Sequence, residues 1–309
     1  MPDSGKMTDS SSVLNWRDLD AWSFSGTALA VLGQPIKHSI SPALHHAALT
    51  TMSATDPQFA TWKYFRFEVP PTELPEALTQ LHRKKFRGLN LTVPHKILAV
   101  EILAGIDAEA REIGAVNTLR WTENGWYGHN TDGYGLVMGL REDLGVALAG
   151  RHVILLGAGG AARGAAVECL RRGCASLAIG NRTPENLQTL LAALAPTARH
   201  TPLRGFSLSA PPADLPRDAI VINATSAGLH GTDAPPVDLK AIPSPAAVYD
   251  MIYNPPQTPL LKSAAALGIP CANGLSMLVH QGARALEIWT GARVPVEAMW
   301  NAARGALRR

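Results

Sequence analysis

Short apolar runs alternate with longer stretches of helical spacing along most of this chain, a pattern that predicts strands and helices in succession. In the first half, residues 27–32 (TALAVL) read as a strand. Residues 42–51 read as a helix, with Ser41 as N-cap and Pro42 at the first helical position. Residues 62–69, rich in aromatic and β-branched side chains, read as a second strand. Pro71-Thr72 opens a helix to about Lys84, and residues 88–91 form a short strand that Pro94 ends. Residues 117–121 and 126–128 flank the polar turn Thr122-Glu123-Asn124-Gly125 as a hairpin. The second half is more regular. Strands are predicted at 152–156, 176–179, 219–223 and 248–251, with helices between the first three, as in a βαβ series with a parallel sheet. Residues 275–289 and 296–307 have the spacing of surface helices, and the segments near Pro211 and Pro243 read as loops. There is no repeat of solenoid period.

The segment Val153-Ile154-Leu155-Leu156-Gly157-Ala158-Gly159-Gly160-Ala161-Ala162-Arg163 changes this from a fold into a function class. A buried strand, a glycine turn and a helix rich in alanine follow in order. Glycines let the main chain approach a pyrophosphate, and the helix N-terminus offers unpaired N–H groups and the positive end of its dipole. Gly157, Ala158, Gly159, Gly160 and Ala161 are therefore candidate dinucleotide contacts. An acidic residue after the next strand would bond the ribose 2′-hydroxyl of NAD. This chain has Asn181-Arg182-Thr183 there instead. A guanidinium pairs with a 2′-phosphate that a carboxylate would repel, which favours NADP. Asn223-Ala224-Thr225-Ser226-Ala227-Gly228 follows the third strand of this half, where the fold binds ligand, and makes Thr225 a candidate nucleotide contact.

The glycine turn begins about halfway along, so the first half is expected to hold the substrate. Its polar clusters agree. Ser39 and Ser41, spaced by one residue, can aim both hydroxyls at one ligand. Asn90-Leu91-Thr92-Val93-Pro94-His95-Lys96 offers an amide, a hydroxyl and a cation. Asn117-Thr118 and Asn130-Thr131-Asp132-Gly133 complete the set. A lysine and an aspartate facing one carbonyl make a proton-transfer pair, the carboxylate tuning the ammonium that donates to the developing alkoxide. Lys96 and Asp132 are the candidates.

Composition narrows the remainder. The chain has 309 residues, 46% hydrophobic and 17% charged, with a formal net charge of +3, as expected of a globular protein of two domains. There is no basic block of nucleic-acid type; Arg304–Arg309 reads as a solvated helix end. Cys169, Cys174 and Cys271 make neither a disulfide framework nor a zinc site, so no metal is expected and a reducing compartment is. No apolar run approaches the roughly 18 residues of a membrane span, and the first two dozen residues have no apolar signal core; they read as a loosely ordered extension.

In their order these motifs resemble the shikimate dehydrogenases of the shikimate/quinate dehydrogenase family, over about residues 27–305. The resemblance rests on Ser39-Ile40-Ser41-Pro42, Asn90 to Lys96, Gly114-Ala115-Val116-Asn117-Thr118, Gly128 to Gly133, Gly157 to Ala162 and Asn181-Arg182-Thr183. It extends to Asn223 to Gly228, Asp250-Met251-Ile252-Tyr253-Asn254-Pro255 and Leu278-Val279-His280-Gln281-Gly282-Ala283. It implies that Ser39, Ser41 and Tyr253 bind a substrate carboxylate, and that Thr92, Asn117, Asp132 and Gln281 bind ring hydroxyls. It also implies that Lys96 and Asp132 are the catalytic pair. Gly157 to Ala162 would hold the pyrophosphate and Asn181, Arg182 and Thr183 the 2′-phosphate, with Met251 and Gly274 near the nicotinamide. Three positions depart from the family's pattern: His46 where Asn is frequent, Asn186 where a basic residue is frequent, and Ser276 where Gly is common.

The fold expected is α/β with two domains. Residues 1–24 are an extension, 25–131 a substrate-binding catalytic domain, 132–274 a Rossmann-type doubly wound NADP domain, and 275–309 helices returning to the substrate domain. Hinges are expected around Asp132 and Gly274. The implied reaction is the reversible NADPH-dependent reduction of 3-dehydroshikimate to shikimate, a step of aromatic amino acid biosynthesis, in the cytoplasm. Small-molecule ligands are expected, with no nucleic-acid or membrane partner, and a homodimer is left open. The rivals are an NAD-dependent quinate/shikimate dehydrogenase, an aminoshikimate-type enzyme and a non-catalytic NADP(H)-binding regulator.

Overall fold

A computed structural model describes residues 12–230 and 232–308. The chain forms two compact units, Met1–Thr131 with Gly282–Arg309, and Asp132–Gln281.

The first unit is built on strands β1 (Val13–Asn15), β2 (Thr27–Gly33), β3 (Trp62–Glu68), β4 (Gly88–Leu91), β5 (Gly105–Ile106), β6 (Thr118–Thr122) and β7 (Gly125–His129). Its helices are α1 (Ser41–Ser53), α2 (Leu74–Arg83), α3 (His95–Leu98) and α4 (Ala108–Ile113). The sheet order is β1-β3-β2-β4-β6-β7-β5. β2 pairs in parallel with both β3 and β4, so the chain order reverses between β2 and β4. Loops leaving those two carboxyl ends frame the crevice where an open α/β sheet takes its ligand. β6 runs antiparallel to β4 and β7, as the hairpin signal predicts.

Three expectations for this unit need correction. The segment from residue 12 onward is ordered: β1 pairs with β3, and Trp16, Leu19 and Trp22 join the core, the Trp22 ring standing edge-on to Phe65 at 4.8 Å. Residues 1–11 of the expected extension lie outside the described residues. Ser41 is not the N-cap of α1. Ile40 takes that place without a side-chain bond, and Ser41 is already in the helix, its N–H directed to Ser39 Oγ at 3.4 Å. The helix read from Pro71 begins as a 3-10 turn at Pro71–Glu73 before α2.

The second unit contains β8 (His152–Leu156), β9 (Ser176–Asn181), β10 (Leu203–Ser207), β11 (Ile220–Asn223), β12 (Ala247–Asp250) and β13 (Cys271–Asn273). Its helices are α5 (Asp132–Leu144), α6 (Gly160–Arg171), α7 (Pro184–Ala198) and α8 (Pro259–Ala266). The sheet order β10-β9-β8-β11-β12-β13 is parallel throughout. This is the doubly wound dinucleotide-binding order, with its switch point between β8 and β11. The central strands β8, β11 and β12 are buried along almost their whole length, which is why they read as unbroken apolar runs.

Helix α9 (Leu275–Thr290) starts in the second unit, and its last turns, with α10 (Val296–Ala306), belong to the first. There Trp289 donates its indole N–H to Leu119 O at 2.9 Å and lies against Gly88, where any Cβ would collide with the ring. α10 packs on α1. Among the described residues no helix is long and apolar enough to cross a membrane.

Candidate functional site

In the first unit the polar loops follow the two strands at the chain-order reversal. The serine loop leaves β2, and Thr92 to Lys96 leaves β4. Main-chain bonds tie them: Thr92 N–H donates to Leu32 O at 3.0 Å and Gln34 N–H to Val93 O at 3.1 Å. Gly33 is obligatory there, since a Cβ would drive into the Thr92 methyl. Lys96 sits on α3, whose main chain accepts at Lys96 O from Val116 N–H at 2.8 Å, so the lysine segment is fixed to the stretch before β6 that carries Asn117. The Ser39 and Ser41 hydroxyls touch at 3.2 Å. They stand over a buried polar chain that spacing alone does not reveal.

Tyr64, fully buried on β3, donates to Asn90 Oδ1 at 2.7 Å. Burial pushes its phenol well above the ordinary range and keeps it neutral. Asn90 Nδ2 reaches Asn117 O and Thr118 Oγ1, each at 3.1 Å. Asn117 Oδ1 accepts from Thr131 N–H at 2.8 Å, and its Nδ2 donates to Thr131 Oγ1 at 3.0 Å. Asn90, Asn117, Thr118 and Thr131 are all buried. Asn117 was expected only as a contact to ring hydroxyls; it also fastens this network. Beside it, Asp107 caps α4 and pairs with His129 Nδ1 at 2.6 Å.

The first departure from the family pattern finds its use nearby. His46 Nε2 accepts from Tyr64 N–H at 2.9 Å. Adjacent His45 is buried and stacks on Tyr64, ring centroids 4.1 Å apart; burial lowers its pKa to about 3.

In the second unit the glycine turn stands at the switch point of the sheet. Gly157 has φ +112°, a conformation that side chains disfavour, and its Cβ would meet Ala224 O at 3.1 Å. Gly159 caps α6 with no side-chain bond, and a Cβ there would meet nothing within 4 Å. The first N–H groups of α6 are thus not claimed by a capping side chain. That geometry suits a pyrophosphate, so the residues present fit a dinucleotide. Asn181 ends β9 and turns its Nδ2 onto Thr183 O at 2.9 Å. Arg182 is exposed, and Thr183 caps α7 without a side-chain bond. A cation and a second helix N-terminus therefore lie where a 2′-phosphate is expected. Asn186, on the first turns of α7, is exposed.

The loops after β11 and β12 are joined by a residue to which the motif reading assigned no role. Asp250 is fully buried and accepts from Asn223 Nδ2 at 2.9 Å, Ile252 N–H at 3.0 Å and Thr258 Oγ1 at 2.6 Å. Burial raises its pKa, and these three bonds oppose the shift. Asn223 in turn accepts from the N–H and hydroxyl of Thr225 at 3.0 and 2.8 Å. Met251 and Gly274 meet closely; any Cβ on Gly274 would strike Met251 O. Of the remaining candidates, Asp132 begins α5 and is buried, Tyr253 is half-buried after β12, and Gln281 donates to Leu278 O at 3.0 Å. Ser276, the third departure, bonds Asp143 on α5. Ser39, Ser41, Thr92, Lys96 and Asn117 thus belong to the first unit, and Asp132, Tyr253 and Gln281 to the second. Among the described residues no group of three or more His, Cys, Asp or Glu is placed to hold a metal.

Residues 31–119 match the shikimate dehydrogenase substrate binding domain, and residues 274–304 the shikimate 5′-dehydrogenase C-terminal domain. The chain is 38% identical over 283 residues to the shikimate dehydrogenase (NADP(+)) of Geobacter metallireducens, covering 91% of this chain and 97% of that protein. Among solved structures, the Thermus thermophilus shikimate 5-dehydrogenase in complex with NADP(H) and shikimate superposes with a TM-score of 0.79 at 36% identity, over 91% of this chain and all of that one (100%). A ligand-free 5-ketofructose reductase of Gluconobacter gives 0.79 at 33% identity, over 92% of this chain and 99% of that one, so the architecture also serves another carbonyl reduction. Identity at this level over nine-tenths of the sequence leaves one assignment: the chain belongs to the shikimate dehydrogenase family.

Proposed function

We propose that this protein catalyses the reversible NADP-dependent interconversion of 3-dehydroshikimate and shikimate. The observation that carries the reading is the pairing, at the reversal point of the first sheet, of two serine hydroxyls with the tied segment bearing Thr92 and Lys96. Hydroxyl donors suit a carboxylate, and a lysine held by main-chain bonds suits a carbonyl oxygen that gains charge.

In this reading Ser39 and Ser41 hold the substrate carboxylate, with Tyr253 assisting. Thr92, Asn117, Asp132 and Gln281 orient the ring hydroxyls. Lys96 gives a proton to the C3 oxygen as it becomes an alkoxide, and takes it back in the oxidative direction. Asp132 keeps the lysine charged and aimed. NADPH, when bound, supplies the hydride. Gly157 to Ala161 cradle its pyrophosphate on the N-terminus of α6, Asn181, Arg182 and Thr183 take the 2′-phosphate, Thr225 lines the nucleotide, and Met251 and Gly274 lie near the nicotinamide. The accompanying domain assignment is a substrate domain at 25–131, an NADP domain at 132–274 and C-terminal helices at 275–309. The enzyme is read as cytoplasmic, with small molecules as its partners; a homodimer is the candidate assembly.

The test is the rate of change of reduced-nicotinamide absorbance with shikimate or quinate, each with NADP or NAD. Turnover of shikimate with NADP well above the other three combinations is expected. Turnover only of quinate with NAD would overturn the reading, and no turnover with bound NADP(H) would favour the non-catalytic alternative.

A further inference from the structure

Gly135 has no part in the roles above, yet it stands between two residues that do. It lies on α5, buried, one turn after Asp132 and on the same side of the helix. A Cβ there would stand 2.6 Å from Met277 O, 2.9 Å from Gln281 Cβ and 3.1 Å from Gln281 N. Two of these atoms are main chain, so no side-chain rotation makes room. All three belong to α9, so an alanine would have to part the two helices. Glycine in a helix interior costs stability relative to alanine, and the close approach of a second backbone is what it permits here. Further along α5, two polar pairs hold the same helices together. Glu142 Oε2 meets His280 Nε2 at 2.5 Å, and Asp143 accepts from the Ser276 hydroxyl. Of these contacts, the one at Gly135 lies closest along α5 to Asp132, and Gln281 is the last residue of α9 to take part. Its amide is held on its own helix, Nε2 donating to Leu278 O at 3.0 Å. Asp132, Gly135 and Gln281 all belong to the second unit.

We propose that Gly135 is a positioning residue: by letting α9 lie against the first turns of α5, it sets the Gln281 amide relative to Asp132 so that both reach the hydroxyls of one ring. The Glu142–His280 pair holds the neighbour of Gln281 in the same place. The inference rests on the assignment of Asp132 and Gln281 to the ring hydroxyls. An alanine methyl has to push Met277 O and Gln281 Cβ from under 3.0 Å to an ordinary contact of 3.4 Å or more. A shift approaching about 1 Å takes a hydrogen bond of about 3 Å out of range.

The experiment measures KM and kcat for shikimate, and the dissociation constant of NADPH by nicotinamide fluorescence, in wild type, Gly135→Ala, Gln281→Ala and the double variant. Gly135→Ala is expected to raise KM for shikimate about tenfold, the worth of one hydrogen bond, as Gln281→Ala does, with kcat within about threefold. The NADPH dissociation constant should stay within about twofold of wild type. The double variant should lose little beyond either single variant, because once the amide is gone its placement no longer matters. General damage to the fold would instead weaken NADPH binding as well and multiply with the Gln281 loss. An unmoved KM for shikimate in Gly135→Ala, losses that multiply in full, or an equal loss of NADPH affinity would each overturn the proposal. Should Gly135→Ala not fold, Glu142→Ala, at an exposed position, is the second arm. It releases His280 beside Gln281, and is expected to raise KM for shikimate about threefold when Gln281 is present and not in Gln281→Ala. No rise, or the same rise in both, overturns the inference. If wild type does not turn over shikimate, the proposed function fails and this inference with it. If wild type is active and Gln281→Ala is unimpaired, the Gln281 assignment fails and takes the inference with it. With both sound, an unmoved Gly135→Ala removes the inference alone.

Discussion

The two units solve one problem, a ligand crevice at a reversal of strand order, with different materials. In the second unit the reversal lies between β8 and β11, and what it offers is main chain: the turn at Gly157, the N-terminus of α6 and the N-terminus of α7. The side chain at its centre, Asp250, faces inward and holds loops rather than ligand. In the first unit the reversal lies between β2 and β4, and it offers side chains: Ser39, Ser41, Thr92 and Lys96, backed by the buried Tyr64–Asn90–Thr118 chain. A pyrophosphate is common to every dinucleotide and is met by backbone that any sequence can supply, given glycine. A particular polyol acid needs particular hydroxyls, amides and charges in particular places.

Substitutions at the two centres should therefore fail in different ways. The largest effect is expected at Lys96. Lys96→Ala removes the proposed proton donor, and kcat for shikimate should fall about 100- to 10,000-fold, the usual worth of general acid help. NADP binding, measured directly by titration of nicotinamide fluorescence, should stay near wild type. A variant with nearly normal kcat would remove Lys96 from the chemistry, and a large loss of NADP affinity would blur the division of labour between units.

Asp250→Ala should show the opposite profile. It leaves Asn223 Nδ2, Ile252 N–H and Thr258 Oγ1 without their acceptor inside the protein. Stranded buried donors make a loss of about 2–4 kcal/mol reasonable, read by urea unfolding. KM for NADP should rise as the Thr225 and Met251 loops loosen, with kcat at saturation much less affected. A drop in kcat with stability intact would mean that this carboxylate acts on ligand, and the contrast between the units would fail.

The same contrast explains what could be read in advance. The nucleotide crevice was legible because its elements are contiguous: strand, glycines and helix lie within residues 153–163, and the doubly wound order follows from regular βαβ spacing. The substrate side was legible only as separate clusters, named together by their resemblance to a family. Its network joins Tyr64, Asn90 and Thr118, which no local pattern links. Asp250 escaped notice as a support for the same reason, since its partners lie at Asn223 and Thr258. β1 and the turn at Trp16–Ala21 escaped because three strand residues amid polar ones carry no period. Their burial comes from Phe65, Phe67 and Phe86, supplied by distant segments. The cap of α1 was misassigned because Ser-Pro usually marks a helix start; here the helix begins one residue earlier than that reading, and the Ser41 hydroxyl meets that of Ser39.

The buried chain of the first unit also has a pH signature. His45 folds neutral, its pKa lowered from the ordinary 6.5 to about 3 by burial. Between those values the unfolded chain binds a proton that the folded chain does not, so this residue's contribution to stability is intact above pH 6.5 and falls as acid is added. From pH 6.5 to pH 5 that component is about 2 kcal/mol. Other histidines contribute too, so the measurement is a difference: His45→Gln should flatten the pH 7-to-5 fall in urea-unfolding free energy by that amount relative to wild type. An unchanged slope would mean that His45 takes up a proton in the folded protein, and that its stack on Tyr64 is not the closed environment described above.

The smallest effect separates the units most cleanly. Arg182 is exposed, so its proposed pairing with a 2′-phosphate would be partly screened by solvent and salt. Arg182→Ser should raise KM for NADP about tenfold and leave KM for NAD nearly unchanged, since NAD has no phosphate to lose. KM for shikimate should not move. The preference for NADP should also weaken with added salt in wild type, and less so in the variant. Equal losses with both nucleotides would place Arg182 on the adenine or the fold rather than on the phosphate, and would shift the discrimination to Thr183 and the N-terminus of α7. In that case the nucleotide unit would read even the 2′-phosphate through its main chain, and the contrast with the side-chain-built substrate crevice would become sharper.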